Sequence, residues 1–166
     1  MKTGSKHPLK IIVTGSRGKS SLVRLIHAAL LANGSAAYGR ITGVLPRELT
    51  PDGEIPILRS SGGHVGEIGW WLASLCSRAE SVVIENSAVC PECQSLAWKW
   101  ARPDLTVLTN IHTDHQEAWG PEEEDAAAAL SLGVCPGSEV VLGPGLENKD
   151  FLTAMLRSRH CIMLPT

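Results

Sequence analysis

The stretch KIIVTGSRGKSSLVRLIHAAL, residues 10–30, sets the tightest constraint on the fold. Ile11, Ile12 and Val13 run on without polar alternation, which suits a strand covered on both faces and therefore a parallel sheet. Pro8 and Gly15 bound that run. Beyond the turn, Leu22, Leu25, Ile26, Ala29 and Leu30 fall at i, i+3, i+4, i+7 and i+8, one apolar stripe of a helix, and Asn33 with Gly34 supply its stop. A buried strand joined to a helix by the glycine turn TGSRGKSS commits the chain to α/β architecture.

The rest of the sequence repeats the alternation. AAYGRITG reads as a weaker strand, and residues 44–63, rich in Pro and Gly, as a long loop with room for a hairpin. VGEIGWWLASLCSRA carries helical spacing at Val65, Ile68, Leu72, Leu75 and Cys76, weakened by Gly66 and Gly69. SVVIE is a strand ending at Glu85, PECQSLAWKWA a helix with Pro91 in its first turn, and PDLTVLTN a strand ending at Asn110. A helix starting near Pro121 and Glu122, a strand SEVVLG, a helix around Lys149 to Ser158 and a strand HCIML complete the series. About six strands alternating with about five helices predict a doubly wound, mostly parallel six-stranded sheet, with its ligand crevice at the C-terminal strand ends.

Composition narrows the function. At 166 residues and 43% hydrophobic content, residues 1–166 fit one domain, with no room for a second. A net charge of −2, from 15 basic and 17 acidic residues, gives no footprint for nucleic acid or an anionic membrane. Phosphate binding must then come from local geometry. No apolar run approaches the ~20 residues that cross a bilayer, and MKTGSKHPLK is too short and polar for a signal peptide, so a cytoplasmic protein is expected. Five cysteines, an odd number placed mostly in apolar segments, suit reduced thiols better than a disulfide framework.

The turn itself has the residue types that hold phosphate. Gly15 and Gly18 tolerate positive φ and let backbone N–H groups of Ser16, Arg17 and their neighbours approach phosphate oxygens, and the helix adds its positive end. Lys19 is placed for the β- and γ-phosphates, Ser20 for Mg²⁺, and Ser21 follows in the same loop. The common phosphate-loop spacing needs a glycine where this chain has Val13, so the loop is a shorter version, G-S-R-G-K-S. Arg17 is open to either phosphate or solvent. Glu85 and Asn110 end strands where a parallel sheet presents ligand groups, and an acid beside such a loop suits Mg²⁺, which prefers hard oxygen ligands. Asp114 and His115 follow Asn110 closely. Trp70 and Trp71 read as helix packing or a partner surface, and Trp119 as a neighbour of the histidine loop.

VTGSRGKSS, ENSAVCPE and TNIHTDHQEAWG, in that order and at those separations, resemble the ATP-binding central domain of the Mur ligase and folylpolyglutamate synthetase superfamily. RGKS, SAVCPECQ, DHQEAWGP and RITG are most similar to the ligase subunit of poly-γ-glutamate (capsule) synthases. The resemblance spans roughly Lys10 to Gly143. It implies an ATP-dependent carboxylate–amine ligase that phosphorylates a glutamate γ-carboxylate to an acyl phosphate, which an amine then attacks. By motif, Lys19 would bind phosphate, Ser20 and Glu85 the first Mg²⁺ and His115 a second, Asn110 and Asp114 would shape that site, and Thr42 in RITG would lie near the γ-phosphate. Lys19, Asp114 and His115 are thus the catalytic candidates. Glutamate or poly-γ-glutamate would be the substrate, other synthase subunits the partners, with membrane association through them; a homo-oligomer is compatible with the resemblance.

Two departures stand out. Many superfamily members carry a carbamylated lysine where this chain has Leu130, so a second metal would be held otherwise. The family's usual C-terminal ligase domain and the subfamily's N-terminal hydrophobic anchor are expected to be absent, which leaves a nucleotide-binding module that needs a partner chain as the alternative reading. Cys90-x-x-Cys93 followed by His112-x-x-His115 has zinc-like spacing. Zinc there would take His115 from magnesium, and the setting differs from that of a thioredoxin-like redox pair, so the two cysteines read as small residues at a helix start.

Overall fold

The computed structural model describes residues 7–43, 45–59, 62–75 and 79–165. The apolar run forms β1 (Leu9–Thr14), the glycine turn follows, and α1 (Lys19–Ala32) completes the unit. Then come β2 (Ala37–Ile41), β3 (Arg47–Thr50), β4 (Gly53–Pro56), α2 (Glu67–Ser74), β5 (Ser81–Glu85), α3 (Pro91–Ala101) and β6 (Leu105–Leu108). The chain continues through α4 (Gln116–Trp119), α5 (Glu123–Ser131), β7 (Glu139–Leu142), α6 (Asp150–Ser158) and β8 (Ile162–Leu164).

The strands form one sheet in the order β4-β3-β2-β5-β1-β6-β7-β8. The six strands from β2 to β8 in that order are parallel, as expected. The sheet has eight strands rather than six because part of the expected loop 44–63 folds into the antiparallel pair β3 and β4 against β2. Local chemistry makes that hairpin. The Thr50 hydroxyl accepts from the Asp52 N–H, and Gly53 takes φ 145° at the turn. Leu49 packs over Gly39 of β2, and Glu54 pairs with Arg24 of α1 at 2.6 Å.

Alternate β1 residues face opposite layers, as the unbroken apolar run requires. Ile11 and Val13 join Val23, Ile41 and Leu49 on the α1 side, while Ile12 joins Ile68, Trp71, Ile84 and Ala97 beneath α2 and α3. Each such Val or Ile, fully buried, contributes about 2 kcal/mol of transfer free energy. A further cluster around Leu108, Leu130, Leu152 and Leu156 seats α5 and α6.

Differences elsewhere are local. α2 stops at Ser74 because Leu75 turns to extended backbone at ψ 136°, and Cys76 of the expected stripe lies outside the described residues. α4 adds a single turn that periodicity does not signal. α5 begins as read, with Glu122 and Asp125 forming a reciprocal cap. Among the described residues no helix is long and apolar enough to cross a membrane.

His27 of α1 is buried, its Nε2 donating to the Ala37 carbonyl at 3.0 Å. Burial pushes its pKa below the ordinary 6.5, against the opposing effects of that bond and of Glu54. As pH falls through 6.5 the unfolded chain takes up a proton that the folded chain refuses, so stability drops toward acid until the folded pKa is passed. Urea unfolding at about pH 7 and about pH 5.5 is expected to show a larger acid loss in the wild type than in His27→Gln.

Candidate nucleotide site at the C-terminal strand edge

Because β1 lies between β5 and β6, the glycine turn emerges between the ends of two neighbouring strands. Val13 is in register with Glu85, and Thr14 with Leu108, just before Thr109 and Asn110. The ladder continues past the strands through Asn86 N–H to Val13 O and Thr109 N–H to Thr14 O. Side chains at the ends of β5 and β6 therefore flank the turn.

The turn is pinned from the β6 side. Asn110 Oδ1 accepts from the Arg17 N–H at 3.0 Å, and its Nδ2 donates to the Arg17 carbonyl, which also accepts from the Thr109 hydroxyl. Ser16 Oγ accepts from the His112 N–H at 2.9 Å. Gly15 sits at φ 128°, and a Cβ there would collide with Thr109 Oγ1. Gly15→Ala is expected to cost about 2 kcal/mol, from positive φ and that collision together, read as a lower urea midpoint.

These bonds leave the start of α1 unclaimed. Gly18, at φ 79°, is its N-cap, and no side chain caps the helix. Leu22 N–H makes the first helical bond to Gly18 O, so the N–H groups of Gly18, Lys19, Ser20 and the exposed Ser21 have no partner within the helix. No acid lies in the first turn, so the positive end of α1 is not neutralised locally. Lys19 folds back over the turn, donating to Gly15 O at 2.6 Å and Ser16 O at 2.9 Å. Burial lowers its pKa, with Glu85 and Asp114 pulling the other way. The set fits a phosphate chain: orphan N–H donors and a half-buried ammonium over glycine backbone.

On the β5 side, Glu85 is almost wholly buried. Its Oε1 accepts from the Ser20 hydroxyl at 2.7 Å. Its Oε2 accepts from the N–H groups of Thr42 at 2.7 Å and Gly43 at 3.0 Å, beyond the end of β2. Thr42 Oγ1 donates to the Glu85 carbonyl and shares a 2.7 Å bond with Ser87 Oγ. Ser20, Thr42 and Glu85, expected separately from three motifs, thus meet in one place. Ser20 Oγ and Glu85 Oε1 are hard oxygen donors side by side, a set that suits Mg²⁺ and not a soft metal.

The other expected residues lie apart from that pair. The guanidinium of Arg17 forms a two-pronged ion pair with Asp114 at 2.7 and 3.0 Å, and this bond holds the Asp114 carboxyl below its ordinary range. Arg17 is largely open to water and Asp114 partly so, and the pair adds little stability. His115 is the left-handed residue that starts α4, at φ 54°, with its ring against the edge of Trp119 at 5.2 Å and Nδ1 3.6 Å from Glu117. Trp119 donates to the Val89 carbonyl at 2.6 Å, tying this loop to the start of α3. Leu130 is sealed in the apolar cluster and offers no ligand. Among the described residues no three His, Cys, Asp or Glu side chains converge on a metal position.

Two features escaped the sequence. Beneath the turn, Gln94 accepts from Asn86 Nδ2 at 2.6 Å and donates to Ala88 O at 2.7 Å, fixing the segment after Glu85 from α3. Beside it, Glu67 Oε2 accepts from both Arg40 and Arg59 at 2.8 Å. Arg59 and His64 border a cleft of about 400 Å³ that reaches Thr42, Glu85 and Ser87. Period and motif carry no signal for these side-chain contacts, and Arg59 shows in the sequence only as a polar residue of the long loop 44–63.

A glycine turn feeding an uncapped helix, flanked by an acid and an asparagine on the neighbouring strand ends, defines a doubly wound α/β protein with its crevice at the C-terminal edge. The chain belongs to the Mur ligase middle domain family, which it matches over residues 13–134. It is 28% identical over 159 residues to PGA synthase CapB of Bacillus subtilis (strain 168), covering 92% of this chain and 40% of that protein. It is 29% identical over 132 residues to capsule biosynthesis protein CapB of Bacillus anthracis, covering 76% of this chain and 28% of that one. Its fold is that of the bifunctional folylpolyglutamate synthase/dihydrofolate synthase of Yersinia pestis, solved with AMPPNP and Mn ion, at TM-score 0.67 and 16% identity over 95% of this chain and 42% of that one. The chain spans less than half the length of each of these relatives.

Proposed function

We propose that this chain is the ATP-binding unit of an ATP-dependent carboxylate–amine ligase of poly-γ-glutamate synthase type. The observation that carries the reading is the meeting, at one strand edge, of the uncapped start of α1, the Lys19 ammonium and the adjoining Ser20 and Glu85 oxygens. The loop N–H groups from Gly18 to Ser21 and Lys19 would hold the phosphates of ATP. Ser20 and Glu85 would hold Mg²⁺, which when bound neutralises charge on the transferring phosphoryl group. Thr42 would fix the Glu85 carboxylate through its backbone N–H. Asn110 would keep the turn in shape, and Asp114 would orient Arg17 and, beside His115, the far rim of the site, where His115 would hold a second cation. The substrate would be a glutamate γ-carboxylate, activated as an acyl phosphate. Arg59, in the cleft wall with Glu67 as its partner, is a cation that an acidic substrate would meet there.

The relatives named PGA synthase and capsule biosynthesis protein support this substrate class, and the folylpolyglutamate synthase solved with AMPPNP and Mn ion supports a nucleotide with a divalent metal. A second reading is a nucleotide-binding module that is inactive until a partner chain or C-terminal domain completes it. Under either reading other synthase subunits would be partners, and a cytoplasmic chain would reach a membrane through them. ADP release from Mg²⁺·ATP, with glutamate or poly-γ-glutamate and with or without the other synthase subunits, separates the two. Turnover by the chain alone supports the ligase, and turnover only with the subunits supports the module. Calorimetry that finds no Mg²⁺-dependent binding of ATP or ADP overturns both.

A further inference from the structure

Cys90 and Cys93 bracket the first turn of α3, and both line the cleft that reaches Glu85 and Ser87. Cys90 is the N-cap: its sulfur accepts the Cys93 N–H at 3.4 Å, where a serine or aspartate oxygen usually serves. Cys93 is also hydrogen-bonded to Cys90 through its side chain, and this bond, with burial, pushes the Cys93 thiol up to about 11. Cys90 Sγ thus lies over the first turn beside Cys93, one helical turn on, a separation that disulfides span. Pro91 at the first helical position fixes the turn between them. Neither thiol is fully buried, so a small molecule entering the cleft reaches them.

From this geometry we propose that Cys90 and Cys93 form a reversible dithiol–disulfide site in the cleft wall, oxidised by small-molecule disulfides of the glutathione class. Cys90, as its thiolate, attacks one sulfur of the disulfide; that S–S bond breaks, and the departing thiolate takes up a proton. Cys93 then gives up its proton, its sulfur attacks the Cys90 sulfur, and the second small thiol leaves. Two electrons and two protons pass from the protein to the small disulfide. Cys90 Sγ, at the N-cap of α3, already accepts the Cys93 N–H, a bond that suits a negative sulfur, which makes Cys90 the sulfur that attacks and Cys93 the one that resolves. Cys90 follows Val89, whose carbonyl anchors Trp119, so the covalent state of the pair borders both the cleft and the histidine loop. This proposal is independent of the ligase reading.

The test is oxidation of the reduced full chain with oxidised glutathione, alkylation of remaining thiols, and mass mapping of the peptide that holds both cysteines. That peptide is expected to lose two hydrogen atoms, to carry no alkyl group, and to recover both thiols on treatment with a reducing dithiol. Cys93→Ser is expected to stop at one glutathionyl group on Cys90. In the wild type, limiting iodoacetamide is expected to label Cys90 at least about tenfold faster than Cys93. Two alkyl groups on that peptide after oxidation, or a bridge to Cys135 or Cys161 in its place, overturn the site. Equal labelling of the two sulfurs overturns the assigned order. Circular dichroism of Cys93→Ser confirms that the trapped adduct belongs to the folded chain.

Discussion

Lys19→Ala is expected to weaken Mg²⁺·ATP binding by about two orders of magnitude, equivalent to about 2.7 kcal/mol, with the fold intact. The size follows from what the ammonium does at rest. Lys19 gives its protons only to the carbonyls of Gly15 and Ser16, at the lip of the turn, and water replaces it there without leaving a buried group unpaired. A phosphate chain placed on the uncapped start of α1 instead loses its one mobile cation. Isothermal calorimetry of both proteins, with circular dichroism as the fold control, reads the effect directly. Equal affinities would remove Lys19, and with it the phosphate assignment of the turn. Because burial lowers the Lys19 pKa, the charge is also expected to be lost at a lower pH than for an ordinary lysine, so affinity should decline on the alkaline side while Lys19→Ala stays flat.

Glu85 is expected to carry the second large effect, and two substitutions divide its structural role from its role toward a cation. Its buried carboxylate accepts from the Ser20 hydroxyl and from the N–H groups of Thr42 and Gly43. Glu85→Ala orphans those donors and should lower stability by about 3 kcal/mol in urea unfolding. Glu85→Gln keeps the shape and one acceptor oxygen, so its loss should be less than half as large. Its ATP affinity, however, should no longer respond to removal of Mg²⁺ by a chelator. A Gln variant that keeps the wild-type response to Mg²⁺ would show that Glu85 braces the β2 end and holds no metal.

The parts of this fold that announced themselves are those built from contiguous residues. An unbroken apolar run, two glycines and a helical stripe fix β1, the turn and α1 locally, and the strand end at Glu85 follows from where an apolar run stops, while β6 ends at Leu108, two residues before the expected Asn110. The parts that stayed hidden depend on pairs distant in sequence. β3 and β4 are short, mostly solvent-facing at β4, and rich in turn residues, so neither period nor hydrophobicity marks them. The hold of Thr42 on Glu85, the Arg17–Asp114 pair and the bond from the Thr14 hydroxyl to Gln94 beneath the turn each join motifs that sequence presents separately. Composition suggested that any phosphate site had to be local, and the groups that would serve one, backbone N–H groups and Lys19, all belong to a single turn.

The hairpin that lengthens the sheet also determines what the sheet cannot do. β4 is the outermost strand, exposed throughout, and within its span it carries Gly53, the charged Glu54 and Pro56, which has no N–H to offer. Such a margin is a poor template for a neighbouring strand. Larger assemblies built from this unit are therefore not expected to extend the sheet at that margin, and crowding of many copies would not zip them together along β4.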